Sequence, residues 1–388
     1  MVDAETEVPR KTDLPTRKIG GSVVRIKNLA LVIGTRPQIL KSVPIIHAAS
    51  RSKRIRLSVI HTGQHYDYEM SRVFFSEFNL PKPSFNLRVG PGTHVKQIAD
   101  IMCRLERHLH EMRPDWVLVP GDTNSALAAG LAASKLGFAV AHIEAGARSY
   151  DMSMPEEVNR RLLDHLSGLL FAPTATCAKN LVLEGIPRSR TIRSGDTMFD
   201  LFQKYRHKML SSDIVERQGL ANSRYVFVTV HRQSNIETRK ALADIARAIL
   251  DVKEVMFVMP VHPHTRARME EFGIYRKLSS ANNIKLTGPL GYFETIRLIT
   301  SARLVMTDSG GLQKEAFWAG TPCVTLRDTT EWTETIECGA NTLTGVDGNR
   351  MVAAIRRSLS CQPRIGWKSS LFGNGQAARK IIATLEKR

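Results

Sequence analysis

Short apolar runs, each closed by a polar or glycine-bearing loop, alternate along this chain with segments of helical spacing. LALVIG (29–34) ends in GTRP, and the segment from Pro37 carries Leu40, Val43, Pro44 and Ile46. That order predicts strand, loop, helix. RLSVIHTGQH (56–65) opens with a second strand, and WVLVPGDTNSALAAGLAASKLGFAVAHIEAG predicts strand, loop, an Ala-rich helix ended by Gly137, and another strand. LLFAPTATCAKNLVLEGI (169–186) repeats the pattern. Strands alternating with helices at this spacing make βαβ units, whose right-handed crossovers build a parallel sheet.

From about residue 222 the pattern restarts with YVFVTVH, a helix near 238–250, VMFVMPVH, a helix near 264–280, IKLTG, RLVMTDSGG and TPCVTLRDTTE. Two α/β, Rossmann-like, doubly wound lobes with a central cleft are the expected architecture. The boundaries predicted are a polar extension (1–25), an N-terminal lobe (26–200) and a C-terminal lobe (201–367). In such sheets ligands bind beyond the carboxyl ends of the strands, so function is to be sought in the loops that follow them.

The length of 388 residues agrees with two lobes, since single cores rarely grow beyond ~250 to 300 residues. The formal charge of +18, from 55 basic and 37 acidic residues, admits nucleic acid, membrane surface or phosphorylated metabolites as partners. The basic residues come in ones and twos, without a long run or an aromatic-bearing RNA motif, which counts against nucleic acid. Five cysteines at 103, 177, 323, 338 and 361 form no CxxC pair, so reduced thiols and a cytoplasmic protein are expected, with no structural metal. No stretch approaches the ~20 apolar residues of a membrane span.

The post-strand loops are GTRPQ, HTGQH, GDTNS, HIEAGARS, SGDTMFD, VHRQSN, VHPHT, DSGG and RDTTE. Turn and capping chemistry explains any one of them; nine together point to a site. DSGGLQKEAFWAG places Gly310 and Gly311 at a helix mouth whose amides and dipole suit a diphosphate, with Leu312, Ala316 and Ala319 as the packing face. Neither a P-loop nor a GxGxxG fingerprint occurs, so support for nucleotide hydrolysis or dinucleotide redox chemistry is missing.

In HIEAGARSYDMSMPEEVNRRLLDH, Pro155 suits a first helical turn, and Val158, Leu162, Leu166 and Leu169 mark the expected buried stripe. Glu156–Arg160 and Glu157–Arg161 are i,i+4 pairs, worth ~0.3 to 0.5 kcal/mol if exposed. Glu144 ends an apolar strand, as Asp122 does, and two carboxylates held close would push each other's pKa apart into an acid and a base. His231 is expected to face them across the cleft.

Those motifs, with GTRP, TGQHY, GDTNSALAAGLAA, VHR and TDSGGLQKEA in the same order over residues 28–360, resemble the non-hydrolysing UDP-N-acetylglucosamine 2-epimerases. The resemblance implies a glycosyltransferase-B type fold, with a last helix (368–388) packing back on the first lobe. It implies elimination of UDP to a 2-acetamidoglucal and re-addition, without cofactor or metal. By motif position the acid/base residues are Asp122, Glu144, Glu156 and His231. Arg36, Lys41, Arg148 and Arg160 bind substrate, Arg36, Lys41 and Arg160 neutralising its diphosphate. Ser309, Gly310 and Gly311 donate to it, Glu315 holds the ribose, and Arg327 lies at the nucleotide end. Gln64 and His65 match a region that binds a second UDP-sugar as activator in some members, and similar enzymes are homodimers.

Three departures stand out: Gln38 for the usual Glu, Gln233-Ser234 for Arg-Glu, and QKEAFWAGTPCVTLRDTTEWTET for QEEAP…RDTTERPE. Gln38 and TEWTET look closer to members acting on UDP-2,3-diacetamido-2,3-dideoxy-glucuronic acid, where loss of a charge beside the substrate would suit an acidic sugar. Rival readings are a glycosyltransferase of the same fold, separated by transfer to an acceptor, and a hydrolysing epimerase, separated by release of the nucleotide.

Overall fold

The computed structural model describes residues 16–19, 22–64, 74–360 and 370–388. These divide into two compact units. The first holds the described residues up to Gly146, Met152–Leu201 and Gly375–Arg388; the second holds Ala147–Asp151 and the described part of Phe202–Asn374.

A short antiparallel hairpin, β1 (Thr16–Ile19) and β2 (Ser22–Arg25), precedes the first sheet. That sheet comprises β3 (Lys27–Ile33), β4 (Ile55–His61), β5 (Phe85–Asn86), β6 (Trp116–Pro120), β7 (Val140–Ile143), β8 (Leu169–Ala172) and β9 (Thr191–Arg193). All pair in parallel in the order β5-β4-β3-β6-β7-β8-β9. Ala30 to Ile33 are wholly buried, as continuous apolar strands covered on both faces should be. The winding reverses between β3 and β6, which opens a crevice at their carboxyl ends.

Two helices pack across that crevice's floor with unusual closeness. A Cβ on Gly130, in the helix Asn124–Lys135, would lie 2.6 Å from Leu163 Cδ2 of the helix Pro155–Leu166. A side chain here would have to push the Leu163 tip aside, so glycine keeps the two helices close.

The second unit repeats the plan with β10 (Tyr225–Thr229), β11 (Met256–Pro260), β12 (Ile284–Thr287), β13 (Leu304–Thr307), β14 (Cys323–Thr325) and β15 (Asn341–Leu343). Its parallel order is β12-β11-β10-β13-β14-β15, with the reversal between β10 and β13.

Several expectations are corrected. The helix expected near 264–280 is two, Pro263–Glu271 and Tyr275–Ser279, because Gly273 turns the chain at φ +70°. The last helix runs Ala377–Lys387 rather than from 368, since Gly373 and Gly375 hold left-handed backbone before it. The stripe of Val158, Leu162, Leu166 and Leu169 is not the buried face of its helix: Val158 and Leu162 are exposed, Leu169 belongs to β8, and Glu157, Asn159, Arg160, Leu163 and Asp164 are buried instead. At Gly310–Ala319 the buried face is Gln313 to Trp318, with Leu312 and Ala319 only half-buried.

Candidate active site

In the first unit the crevice collects the charged residues. The helix Arg36–Arg51 after β3 brings Lys41, the turn after β6 brings Asp122, and Glu144 follows β7 in left-handed backbone at φ +71°. Lys41 Nζ donates to Glu144 Oε1 at 2.7 Å, the side chains being 13 % and 11 % exposed. Arg160 donates to Asp122 Oδ2 through Nε at 3.1 Å and through Nη2 as well.

This differs from two carboxylates set against each other: each has a cation of its own. It also engages Lys41 and Arg160, two of the three cations expected on the diphosphate. Glu157 is not a surface ion pair either. It is fully buried and accepts from Arg160 Nη1 at 3.0 Å and Arg161 Nε at 3.1 Å. Buried charges persist only when paired and hydrogen-bonded in this way. Glu156 sits half-buried in the first turn of the same helix.

Arg36 holds its guanidinium 4.7 Å above the Phe74 ring. Arg148 is buried and donates to the Ala147 carbonyl at 2.7 Å. Gln64 Oε1 accepts from the Ser125 amide at 3.0 Å and its hydroxyl at 2.6 Å, thereby capping the helix Asn124–Lys135. His65 lies outside the described residues. Gln38 is wholly buried, accepts from the Gly34 amide at 2.8 Å and donates to the Pro120 carbonyl at 3.0 Å. A carboxylate cannot make the second bond, so Gln at 38 ties the loop after β3 to the end of β6.

In the second unit, the loops after β10 and β13 meet at its own reversal. Asp308 is buried and accepts from the amides of His231 (3.0 Å) and Arg232 (2.9 Å), from Asn235 Nδ2 (3.1 Å) and from His231 Nδ1 (3.2 Å). Burial pushes the Asp308 carboxyl up, but the His231 imidazole and these donors outweigh it and hold the carboxyl below the usual range. His231, half exposed, is thus an oriented imidazole of the kind a proton-transfer role needs.

Ser309 caps the helix Gly310–Ala319 by accepting from Leu312, at 3.4 Å, and the first-turn amides of Gly310 and Gly311 lack intrahelical acceptors by position. A Cβ at Gly310 would stand 3.3 Å from Glu331 Oε2, placing this anion-attracting mouth beside the fork in which Arg327 donates to Glu331 at 2.9 and 3.0 Å. Glu315 is buried one turn further in.

Four residues lie within the quoted motifs without having been singled out there: Asp308, which orients His231; Asn235; and His142 and Asp164, a buried hydrogen-bonded pair behind the charged cluster. Each is an ordinary polar residue until long-range contacts give it a partner. Among the described residues, no group of three or more His, Cys, Asp or Glu is placed to hold a metal ion, and no helix is long and apolar enough to cross a membrane.

Residues 47–386 match the family model for UDP-N-acetylglucosamine 2-epimerase. The chain is 40 % identical to the UDP-N-acetylglucosamine 2-epimerase of Methanocaldococcus jannaschii, over 92 % of this chain and 98 % of that protein. It is 39 % identical, over the same shares, to the UDP-2,3-diacetamido-2,3-dideoxy-D-glucuronate 2-epimerase of Pseudomonas aeruginosa. Among solved structures, the M. jannaschii UDP-GlcNAc 2-epimerase in complex with UDP-GlcNAc and UDP superposes with a TM-score of 0.88 at 39 % identity, covering 93 % of this chain and all of that one. The Neisseria meningitidis UDP-GlcNAc 2-epimerase bound to UDP-GlcNAc gives 0.85 at 31 %, with 93 % and 100 % covered.

Proposed function

The chain belongs to the UDP-N-acetylglucosamine 2-epimerase family, and on that premise we propose that it interconverts UDP-N-acetylglucosamine and UDP-N-acetylmannosamine without hydrolysis. The observation that carries the reading is the alternation Lys41, Glu144, Asp122, Arg160 at the strand reversal of the first unit. Inverting C2 requires a base to remove its proton and an acid to return one from the other face. Carboxylates positioned by lysine and arginine on a rigid sheet edge suit that work.

In this reading a carboxylate takes the C2 proton as the C1–O bond breaks, giving UDP and a 2-acetamidoglucal. UDP then adds back to C1 while C2 is protonated from the opposite face. Asp122, Glu144, Glu156 and His231 move the protons. Arg36, Lys41 and Arg160, with Ser309, Gly310 and Gly311, stabilise the diphosphate as it departs with its charge, and Arg148 binds substrate. Glu315 and Arg327 hold the nucleoside end. The proposal includes a homodimeric, cytoplasmic enzyme; the four described cysteines, all free thiols, suit a reducing compartment.

A second reading is favoured by the near-equal identity to the P. aeruginosa protein: the sugar is then a 2,3-diacetamido-uronate. Incubating the purified protein with each nucleotide sugar and resolving products by ion-pair chromatography separates the readings. A manno isomer still carrying UDP supports epimerisation and names the sugar. Free UDP with free N-acetylmannosamine, or transfer to an acceptor, overturns it.

A further inference from the structure

Behind the charged cluster of the first unit lies a polar pair that the proposed chemistry does not use. His142 and Asp164 are both wholly buried. His142 Nδ1 lies 2.7 Å from Asp164 Oδ1, and Nε2 lies 2.9 Å from the Gly121 carbonyl oxygen. Asp164 Oδ2 in turn accepts from the Gly146 amide at 3.1 Å.

The two outer backbone groups, the Gly121 carbonyl and the Gly146 amide, flank acid/base candidates. Gly121 immediately precedes Asp122, and its amide donates to the Ile143 carbonyl at 2.9 Å. Both backbone polar groups of Gly121 are therefore fixed by β7. Gly146 lies two residues after Glu144, and its carbonyl accepts from Asn180 Nδ2 at 2.9 Å. A Cβ at Gly146 would collide with the Cys177 carbonyl at 2.2 Å, so this turn has no slack. Between them, the Glu144 and Ala145 amides donate to the Phe171 carbonyl, each at 3.1 Å.

We propose that the His142–Asp164 pair is a positioning device: one continuous hydrogen-bonded strut from the Gly121 carbonyl to the Gly146 amide that sets the separation of Asp122 and Glu144. The ring must present N–H to the Gly121 carbonyl, and a second proton must lie between Nδ1 and Oδ1. The pair then has no net charge, whichever partner holds that proton, and it can stay buried without a further counter-ion. Two carboxylates acting on opposite faces of one carbon need their spacing fixed to a fraction of an ångström, and a 1 Å error costs on the order of 10²-fold.

The inference rests on the proposed epimerisation, and its test separates the two. His142→Asn and Asp164→Asn are compared with the double variant H142L/D164L, which removes both polar groups together and so limits the stability loss that a lone buried partner causes. Steady-state kinetics, melting temperature and the downfield proton spectrum are recorded for each. The wild type is expected to show a solvent-protected, downfield ring proton at Nδ1, shared with Asp164 Oδ1, that both single variants lose. For each folded variant, kcat is expected to fall on the order of 10²-fold with KM within about two-fold, because the carboxylates are displaced while nucleotide binding is kept. Wild-type kcat in the folded double variant, or a matching rise in KM, overturns the positioning role. A wild type that shows the ring proton but no epimerisation overturns the functional reading and leaves the strut in place.

Discussion

Asp308 does more than hold a turn. It receives four donors from the loop after β10, one of them the ring of His231. Asp308→Asn replaces an acceptor by an amide that must turn one N–H toward those donors, so the imidazole loses its orientation. The expected result is a kcat lower by on the order of 10²-fold at little change in KM; unchanged kcat in a folded variant would remove His231 from proton transfer. Gln38 makes the opposite kind of case. Read from the chain alone it suggests a charge adjusted beside the sugar, because a Glu-to-Gln difference says nothing about which way the side chain points. Its burial between Gly34 and Pro120 predicts that Gln38→Glu costs about 1 to 3 kcal/mol in urea unfolding and leaves the preference between the two UDP-sugars as it was. A switch in sugar preference would restore the earlier reading.

At the scale of elements, strand positions were legible because buried parallel strands are continuous apolar runs, and the loops after them stand out against that background. Helices were less so. His94–Met112 buries Gln97, Ile101, Leu105 and Leu109 on a single four-residue spacing, a stripe too narrow to compete with the strand signals around it. Pro155–Leu166 misleads for a better reason: its buried face is mostly charged, and apolar periodicity finds its exposed side. The departures at Lys314, Trp318 and Trp332 likewise gain meaning only in three dimensions. They gather around Phe372, with Lys314 Nζ 3.9 Å from the Trp332 ring centroid and both indoles edge-on to Phe372. The cation over an aromatic face is a packing contact, of the order of 1 kcal/mol.

The last helix supplies a test at this scale. Asp200 accepts the first amides of that helix, Ala377 at 3.1 Å and Ala378 at 2.8 Å, yet burial pushes its carboxyl up to about 6 against these donors. A carboxyl raised in the folded state contributes stability that is fully present below its unfolded pKa near 3.8 and is lost as pH rises through about 6. Relative to Asp200→Asn, the wild type should therefore lose on the order of 3 kcal/mol between pH 4 and pH 7. Parallel stability curves for the two proteins would show that the amides, not burial, set this carboxyl.

For the whole molecule, each unit carries its candidate site residues at the strand reversal of its own sheet: Lys41, Asp122, Glu144 and Arg160 in one, His231 and Asp308 to Gly311 in the other. The sequence disclosed both sets, since a post-strand loop can be read without knowing the fold in detail. It could not disclose the pairings, which join residues as far apart as Lys41 and Glu144. The net charge of +18 belongs to this scale as well. If it draws in an anionic nucleotide sugar, kcat/KM falls steadily as ionic strength rises, whereas a flat salt series assigns the charge to another purpose.

Proton exchange at C2 is the step on which the proposed chemistry depends. Proton NMR of the purified protein with UDP-N-acetylglucosamine in D2O, following the anomeric and C2 signals, observes it directly. The expected product is a manno isomer that carries deuterium at C2 and retains its UDP, with the deuterium entering the gluco form as equilibrium is approached. A manno product that keeps its original C2 proton would contradict it, because the carboxylates of the first unit would then have no proton to move.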